Sequence, residues 1–251
     1  MATIIKQFIA ALQFLTIFRI TNKIDLDPKD FSASLAFFPL IGLLLGTLLA
    51  VTGYLFLKPF PASVAGALMC AFYVFLTRGL HLDGIADVFD ALGSHKPKEQ
   101  VLQIMKDSHI GAIGVIALVL VLILKSSGFG ILIQSESFKF IALVPVLGRF
   151  SLHVLAAFSH YARPEGGLGK GFVGKKARAY LLPSALITVL ASIFLAGFAG
   201  LLLTIAITLL ALFFVIFFKR ALGGVTGDVL GFQIEIAETV LLSLGALLYH
   251  G

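Results

Sequence analysis

The fold is decided by residues 186–218, which read LITVLASIFLAGFAGLLLTIAITLLALFFVIFF and contain no charged side chain. A membrane-spanning helix needs about 20 mainly apolar residues, so this stretch is long enough for more than one. Further apolar runs cover Ile116–Leu124 and Val240–Leu248. The 251-residue chain is 59% hydrophobic and only 13% charged, whereas a soluble domain is roughly 25% charged. The sequence therefore predicts an all-α integral membrane protein.

Along the whole chain, the apolar pattern predicts about seven transmembrane helices, at residues 35–57, 61–78, 110–124, 138–158, 180–198, 201–218 and 229–249. The pattern leaves open whether the fifth and sixth segments are separate, because only Gly197–Gly200 lies between them. The connecting loops are short and no internal repeat is evident, which indicates a single polytopic membrane domain over residues 1–251.

The N-terminal segment differs from these spans because Lys6, Gln13 and Arg19 interrupt it. Its apolar residues recur at helical spacing, which is typical of an amphipathic helix lying in the membrane interface. These residues are Phe8, Ala11, Leu12, Leu15 and Phe18.

The distribution of basic residues predicts the orientation. If residues 1–34 are cytoplasmic, the inside segments and Arg78 together hold 15 of the 19 Lys and Arg residues, and the outside loops hold only Lys58, Lys125 and Lys139. Positive charge favours the cytoplasmic side, so loops 79–109, 159–179 and 219–231 are expected to face the cytoplasm from the cell inner membrane. The net charge of +6 therefore reflects the orientation in the membrane and does not predict binding to nucleic acid. The predicted partner is the lipid bilayer. The oligomeric state stays open, a homo-oligomer included.

Acidic residues cluster in the first of these loops, at Asp83, Asp87 and Asp90. Spacings of four and three place them on one face of a helix, with neighbouring Cβ atoms about 5–6 Å apart. Like charges so close call for a neutralising cation, and Mg²⁺ typically binds one or two carboxylates together with substrate phosphates. The spacing therefore predicts that these three aspartates bind Mg²⁺; the alternative is a solvated helix face.

Other polar residues flank this cluster. Arg78, His81 and Lys106 are candidates for substrate binding, and Asp107 would add a fourth acid. The alternatives are an ordinary structural histidine at His81 and a helix cap at Asp107.

A glycine-rich basic segment follows the fourth predicted span. Backbone N–H groups between closely spaced glycines, together with cations, can surround a phosphate. The candidates are Arg163, Gly167, Gly169 and Lys170. A loop that contacts lipid headgroups is the alternative.

The last span carries further candidates. Thr226 and Asp228 precede it, and Asp228 is either catalytic or a helix cap. Glu235 and Glu238 lie within it, one turn apart. Ionisable residues inside a membrane are costly and usually functional. Arg149, inside the fourth span, is their natural counter-charge, so we expect it to pair with one of them or to contact the substrate.

Several of these stretches resemble the adenosylcobinamide-GDP ribazoletransferase family, also called cobalamin 5′-phosphate synthases. The similarity runs in family order over nearly the whole chain, and its more specific pieces are His-Leu-Asp-Gly-x-Ala-Asp and Gly-Gly-x-Thr-Gly-Asp. The matching stretches are Ala11–Thr16, Phe37–Gly42, His81–Asp87, Ile104–Ser108 with Ile110-Gly111, Gly148-Arg149, Gly166–Phe172 and Gly223–Gly231.

This resemblance implies a Mg²⁺-dependent transfer late in cobalamin biosynthesis. A hydroxyl of α-ribazole, or of its 5′-phosphate, would attack the cobinamide-linked phosphorus of adenosylcobinamide-GDP, and GMP would leave. The aspartates at positions 83, 87 and 90 would bind Mg²⁺ and the diphosphate. Asp107 or Asp228 would complete the metal shell or act as the base, while Arg163 and Lys170 would hold the guanylate phosphates.

Two other functions fit the sequence less well. A CDP-alcohol phosphotransferase of phospholipid synthesis carries Asp-x-x-Asp-Gly-x-x-Ala-Arg, whereas here Asp83-Gly84-Ile85-Ala86 is followed by Asp87 rather than by arginine. A transporter would need acidic residues along a path across the bilayer, and spans two to six lack them apart from the motif ends at the interface.

Overall fold

The computed structural model describes residues 2–21, 28–163 and 165–249, which are almost entirely helical. In chain order the helices are α1 (Ala2–Leu15), α2 (Pro28–Ala33), α3 (Phe38–Phe56), α4 (Ala62–Thr77), α5 (Leu82–Gly93), α6 (Lys98–Ile104), α7 (Ala112–Gln134), α8 (Phe138–Phe158), α9 (Lys175–Arg178), α10 (Leu181–Leu222) and α11 (Gly227–Tyr249). Short 3₁₀ helices cover Ser34–Phe37 and Leu168–Phe172. The predicted all-α fold is confirmed.

Five helices in the described part of the chain are long and apolar enough to cross a membrane: Phe31–Phe56, Ala112–Gln134, Phe138–Phe158, Leu181–Leu222 and Gly227–Tyr249. The bent pair α4 and α5 would make a sixth if it formed one span. The protein is therefore a multi-pass membrane protein, as predicted, and each predicted segment coincides with a helix or with part of α10.

The third predicted segment was too short. It was expected to end at residue 124, with Lys125 in an outside loop, but α7 continues to Gln134 and Lys125 is only 3% exposed within it. The Nζ atom of Lys125 lies 2.7 Å from a carboxylate oxygen of Glu235 and 2.8 Å from one of Glu238. Because these partners compensate its charge, Lys125 does not end the span.

The fifth and sixth predicted segments are separate, because α10 reverses direction at Gly197. This residue has φ +56° and ψ −135°, a left-handed region that glycine adopts without a Cβ penalty. The hydroxyls of Ser192 and Thr204, twelve residues apart, lie 2.9 Å from each other, whereas a continuous helix would separate them by about 18 Å. Residues 181–196 and 198–222 are therefore two antiparallel arms.

Helix α8 forms the centre of the bundle. All of its residues from Phe140 to Ala157 are buried. Two glycines of α3 allow the closest approach: a Cβ atom on Gly42 would lie 2.5 Å from the Pro145 carbonyl oxygen, and one on Gly46 would lie 2.1 Å from that of Ala142. Close apolar packing at these two glycines holds α3 against α8. Helix α8 is therefore the helix around which the others pack.

Helix α1 is amphipathic, as predicted. Ala11, Leu12 and Leu15 are buried in the core, whereas Lys6 is exposed; near the start of the helix Ile4 and Ile5 are exposed as well, at 60% and 52%. Phe18 was grouped with this pattern but lies beyond the end of the helix and is 38% exposed.

The chain turns sharply between α4 and α5. Arg78 has a left-handed backbone with φ +57°, and the two helix axes differ by 93°. After the turn, α5 packs across the N-terminal ends of α7 and α11, where Asp90 bonds to Gly111 and Gly84 meets Asp228. Helix α5 therefore lies outside the spanning segments, at the end of the bundle.

Candidate active site

The three predicted active-site loops meet at one cavity with a volume of about 330 Å³. Its polar side chains are His81, Asp83, Tyr161, Arg163 and Asp228. Glycines 84, 167, 169, 227 and 231 bring backbone to its surface. Its apolar side chains are Phe14, Phe38, Leu80, Leu152, Phe172 and Leu230. Residues 79–109, 159–179 and 219–231 thus contribute to one site, as expected of loops on one side of the membrane.

Two of the predicted acids reach this cavity because α5 and α11 approach closely. A Cβ atom on Gly84 would lie 2.2 Å from the Asp228 carbonyl oxygen and 2.8 Å from the Phe232 nitrogen. Only glycine permits this contact between the backbones. The contact places Asp83, the neighbour of Gly84, and Asp228 on the wall of the same cavity.

A short backbone pairing brings the second and third loops together. The N–H of Ala162 donates to the Val225 carbonyl at 2.9 Å, and the N–H of Val225 donates to the His160 carbonyl at 2.8 Å. This pairing positions Arg163, whose Nη2 donates to Oδ2 of Asp228 at 2.8 Å. An arginine and an aspartate from different loops thereby form a fixed pair in the cavity wall.

Thr226 has a local role. Its Oγ1 donates to Asp228 Oδ2 at 3.1 Å and accepts a hydrogen bond from the Val229 N–H at 3.3 Å. It therefore caps the start of α11 and fixes the rotamer of Asp228.

Asp87 lies one turn beyond Asp83 on α5 and is half-buried. Burial, followed by the charges of Asp83 and Asp228, raises the pKa of Asp87 to about 7. The shift reflects carboxylates crowded into a partly dry site.

Asp90 does not join the other two aspartates as predicted. Its Oδ2 accepts the Gly111 N–H at 2.7 Å, and its Oδ1 accepts the Gly114 N–H at 2.8 Å. Both oxygens thus satisfy unpaired donors at the start of α7. The three aspartates lie on one helix, as their spacing predicts, but the backbone at the start of α7 hydrogen-bonds to the third carboxylate.

No group of three or more His, Cys, Asp or Glu side chains is arranged to hold a metal among the described residues. The three-aspartate metal site inferred from the spacing is therefore not preassembled. The acids that do converge, Asp83 and Asp228 with Asp87 nearby, fit a different arrangement. Mg²⁺ commonly takes only one or two carboxylates and completes its shell with water and substrate phosphates.

His81 borders the cavity and is 4% exposed. Burial, with the nearby charges of Arg149 and Lys125, holds its pKa well below the usual range. Its Nε2 has no hydrogen-bond partner among the described residues. The ring is therefore neutral, and its Nε2 is buried without a partner in the described part of the chain.

Four other predicted residues lie outside the cavity lining. Lys106 forms an ion pair with Glu165, and Asp107 accepts hydrogen bonds from the backbone and ring of His109. Lys170 is exposed. Arg78 donates through Nη2 to the carbonyls of Gln13 and Phe14, at 3.3 Å and 3.2 Å, and so secures the end of α1.

The intramembrane charges form a buried cluster of their own, away from the cavity lining. Arg149 is ion-paired with Glu238, the pairing expected from the sequence. Tyr73 donates to Glu238 at 2.5 Å, and Lys125 bridges Glu238 and Glu235. Arg149, Glu235 and Glu238 were also candidates for substrate binding, but the structure places them in contact with one another, joining α4, α7, α8 and α11.

Sequence reasoning missed the apolar half of the cavity. Phe14, Phe38 and Phe172 line it, yet aromatic residues carry no signal in a chain with 24 phenylalanines. Tyr161 was also missed; its position at the head of the glycine-rich segment was the available clue.

Comparisons with known proteins identify the family. The family model described as cobalamin-5-phosphate synthase matches residues 7–246. Relatives named adenosylcobinamide-GDP ribazoletransferase include those of Syntrophobacter fumaroxidans, 38% identical over 96% of this chain and 98% of the relative, and Acetivibrio thermocellus, 37% identical over 96% and 97%. Another, from Pseudomonas fluorescens, is 38% identical over 96% and 99%. No solved structure matches. The chain belongs to the cobalamin-5-phosphate synthase family.

Proposed function

We propose that this protein is an adenosylcobinamide-GDP ribazoletransferase that joins the cobinamide phosphate to α-ribazole, or to its 5′-phosphate, and releases GMP. The observation that carries the proposal is the convergence of Asp83, Asp228 and Arg163 on one cavity, in a chain whose relatives bear this name over nearly their whole length. Phosphorus chemistry requires neutralised charge and an aligned nucleophile, and these side chains are suited to both.

Mg²⁺ is the proposed cofactor. Asp83 would hold it, with Asp87 next to it, and it would neutralise charge on the diphosphate of the donor. The crowding that raises the pKa of Asp87 supports a site that gains from a cation. Asp90 is left out of this set because both of its oxygens bond to the backbone of α7.

The side chains of the cavity have distinct proposed roles. Arg163, whose guanidinium is held by Asp228, binds a phosphate oxygen of the donor. A hydroxyl of the acceptor attacks the cobinamide-linked phosphorus, the bond from that phosphorus to the oxygen of GMP breaks, and the hydroxyl proton passes to a carboxylate. Asp228 is the candidate base, because Asp107 lies outside the lining and is exposed.

The site is proposed to face the cytoplasm from the cell inner membrane. The excess of Lys and Arg in the loops that form the cavity supports this orientation. With Lys125 placed inside α7, only Lys58 and Lys139 remain on the other side, so the asymmetry is sharper than the sequence indicated. The proposal is tested by labelling cysteines introduced at the exposed positions His95 and Lys58, on a Cys70→Ala background. A membrane-impermeant reagent applied to intact cells should label position 58 and not position 95; the reverse pattern would invert the topology.

The activity is tested by incubating membranes that contain the protein with adenosylcobinamide-GDP, α-ribazole and Mg²⁺. GMP and the cobalamin product should form in equal amounts. The Asp83→Asn variant should form neither, while Glu99→Gln, a change at an exposed residue of α6, should remain active. Failure of the wild-type protein to release GMP from adenosylcobinamide-GDP in the presence of the acceptor would refute the proposed function.

A further inference from the structure

The cavity has an aromatic side formed by three separate parts of the chain. Phe14 comes from α1, Phe38 begins α3, and Phe172 ends the 3₁₀ helix Leu168–Phe172. The ring centroids of Phe14 and Phe172 lie 5.2 Å apart, and those of Phe38 and Phe172 lie 5.7 Å apart. Three rings within contact distance of one another therefore form one aromatic cluster. Phe14 is half-buried and presents its ring to the cavity, whereas Phe38 and Phe172, 0% and 3% exposed, pack behind it.

This cluster offers no side-chain hydrogen bond to a bound molecule. Its aromatic rings are supplemented by Leu80, Leu152 and Leu230. The polar groups of the cavity are the side chains of His81, Asp83, Tyr161, Arg163 and Asp228, together with backbone at the glycines of α5, α11 and the glycine-rich segment. A ligand in this cavity therefore needs one apolar, flat part and one polar part.

The size of the cavity restricts which substrate can enter. Its volume of about 330 Å³ lies at the lower end of the range for small-molecule sites, about 300–1,000 Å³. One aromatic base with its sugar fills such a space, whereas a corrinoid macrocycle with its side chains does not. The corrinoid must therefore remain outside, and the enclosed group is either the base of the acceptor or the guanine of the donor.

We propose that Phe14, held in place by Phe38 and Phe172, binds the base of the acceptor α-ribazole, an inference that rests on the function proposed above. That base is 5,6-dimethylbenzimidazole, a flat bicycle with two methyl groups and no hydrogen-bond donor. Guanine carries donors and acceptors along its edge, and burying them against rings and leucines would leave them unpaired at a cost. Binding the apolar base here directs the attached ribose towards Asp83 and Asp228, where the reacting hydroxyl is required.

The aromatic cluster is held in place from behind. Phe31 contacts Phe172 with centroids 4.0 Å apart, and the Ser32 hydroxyl donates to the Gly171 carbonyl at 2.6 Å. Arg78 holds the end of α1 through the carbonyl of Phe14. The subsite thus depends on docking of the N-terminal helix against the bundle, which gives α1 a role in substrate recognition.

The test replaces the flat ring of Phe14 with a branched apolar side chain and measures both substrates separately. Phe14→Leu should raise the KM for α-ribazole about tenfold, the effect expected for one lost stacking contact, and leave the KM for adenosylcobinamide-GDP unchanged. Phe213→Leu is the matched control, since Phe213 is 57% exposed on α10; it should change neither KM. Free 5,6-dimethylbenzimidazole should inhibit the wild-type protein competitively with α-ribazole and inhibit Phe14→Leu more weakly.

The outcomes separate this inference from the proposed function. A rise in KM for adenosylcobinamide-GDP alone would show that the rings bind guanine, and unchanged KM values for both substrates would show that they bind neither base. Either result, obtained with an active wild-type protein, overturns the subsite and leaves the transferase activity standing. Phe14 is only half-buried, so its variant should fold.

Discussion

Arg163 and Asp228, 65 residues apart, are joined by a 2.8 Å hydrogen bond from Nη2 to Oδ2, and their side chains are 13% and 22% exposed. Thr226 donates to the same oxygen, so the Oδ1 atom of Asp228 receives no hydrogen bond from the described residues. The pair therefore holds the Asp228 carboxylate with Oδ2 hydrogen-bonded and Oδ1 free to contact a bound molecule. It also links the two loops that form opposite parts of the cavity wall.

Removing the arginine should weaken catalysis specifically. A hydrogen bond to a charged group contributes about 1.5–3 kcal/mol, so Arg163→Met should lower kcat/KM for adenosylcobinamide-GDP by at least about tenfold. Lys170→Met is the control from the same segment. Because Lys170 is exposed and does not line the cavity, its variant should retain wild-type kinetics. An equal loss in both variants would mean that the glycine-rich segment binds the guanylate phosphates through Lys170 as well.

The aspartates of α5 should separate into two classes. Asp83→Asn should reduce kcat at least about 100-fold, since an amide is a poor Mg²⁺ ligand and a neutral one. Asp90→Ala should instead destabilise the protein by about 0.5–2 kcal/mol through loss of a helix cap, without changing the Mg²⁺ concentration that gives half-maximal rate. Thermal unfolding and Mg²⁺ titration of the rate distinguish the classes. A raised Mg²⁺ requirement in Asp90→Ala would return Asp90 to the metal site.

The contact between α5 and α11 should be sensitive to a single methyl group. Gly84→Ala would place a Cβ atom 2.2 Å from a backbone oxygen of α11, which forces the helices apart and separates Asp83 from Asp228. We expect most activity to be lost. Gly93→Ala is the control on the same helix, because its Cβ atom would meet only the side chain of Ile113, nearest at its terminal Cδ1, and no backbone. Full activity of Gly84→Ala would show that the spacing of the two acids is not critical.

The buried charge cluster should behave as a coupled unit. Breaking a buried ion pair from one side costs about 3–5 kcal/mol, whereas replacing both partners costs less. Arg149→Met should therefore lower the folded yield more than the double change Arg149→Met with Glu238→Gln. Combining Arg149→Met with Glu136→Gln, in the turn between α7 and α8, should give additive effects. Additive losses for both combinations would mean that Arg149 and Glu238 do not stabilise each other.

Much of the fold followed from apolar length alone. The charge of Lys125 concealed the second half of α7, because a buried lysine resembles a loop residue until its partners, 110 and 113 residues later, are known. The spacing of Asp83, Asp87 and Asp90 correctly predicted one helix face. It could not predict that the backbone N–H groups of Gly111 and Gly114, at the start of another helix, would donate hydrogen bonds to the third carboxylate. The aromatic residues of the cavity could not be predicted for a different reason. Nothing in the sequence distinguishes Phe172 from the other phenylalanines until the chain is folded.

The charge cluster also constrains the order in which the protein is made. Lys125 and Arg149 emerge from the ribosome before Glu235 and Glu238, and 89 residues separate Arg149 from Glu238. At a synthesis rate of about 5–20 residues per second, two cations await their counter-charges for about 5–20 s. During that interval α7 and α8 cannot rest in the lipid core without a cost of about 3 kcal/mol for each charge. The final helix therefore completes the insertion of two helices made before it, and a nascent chain stopped short of residue 227 would be a substrate for membrane quality control.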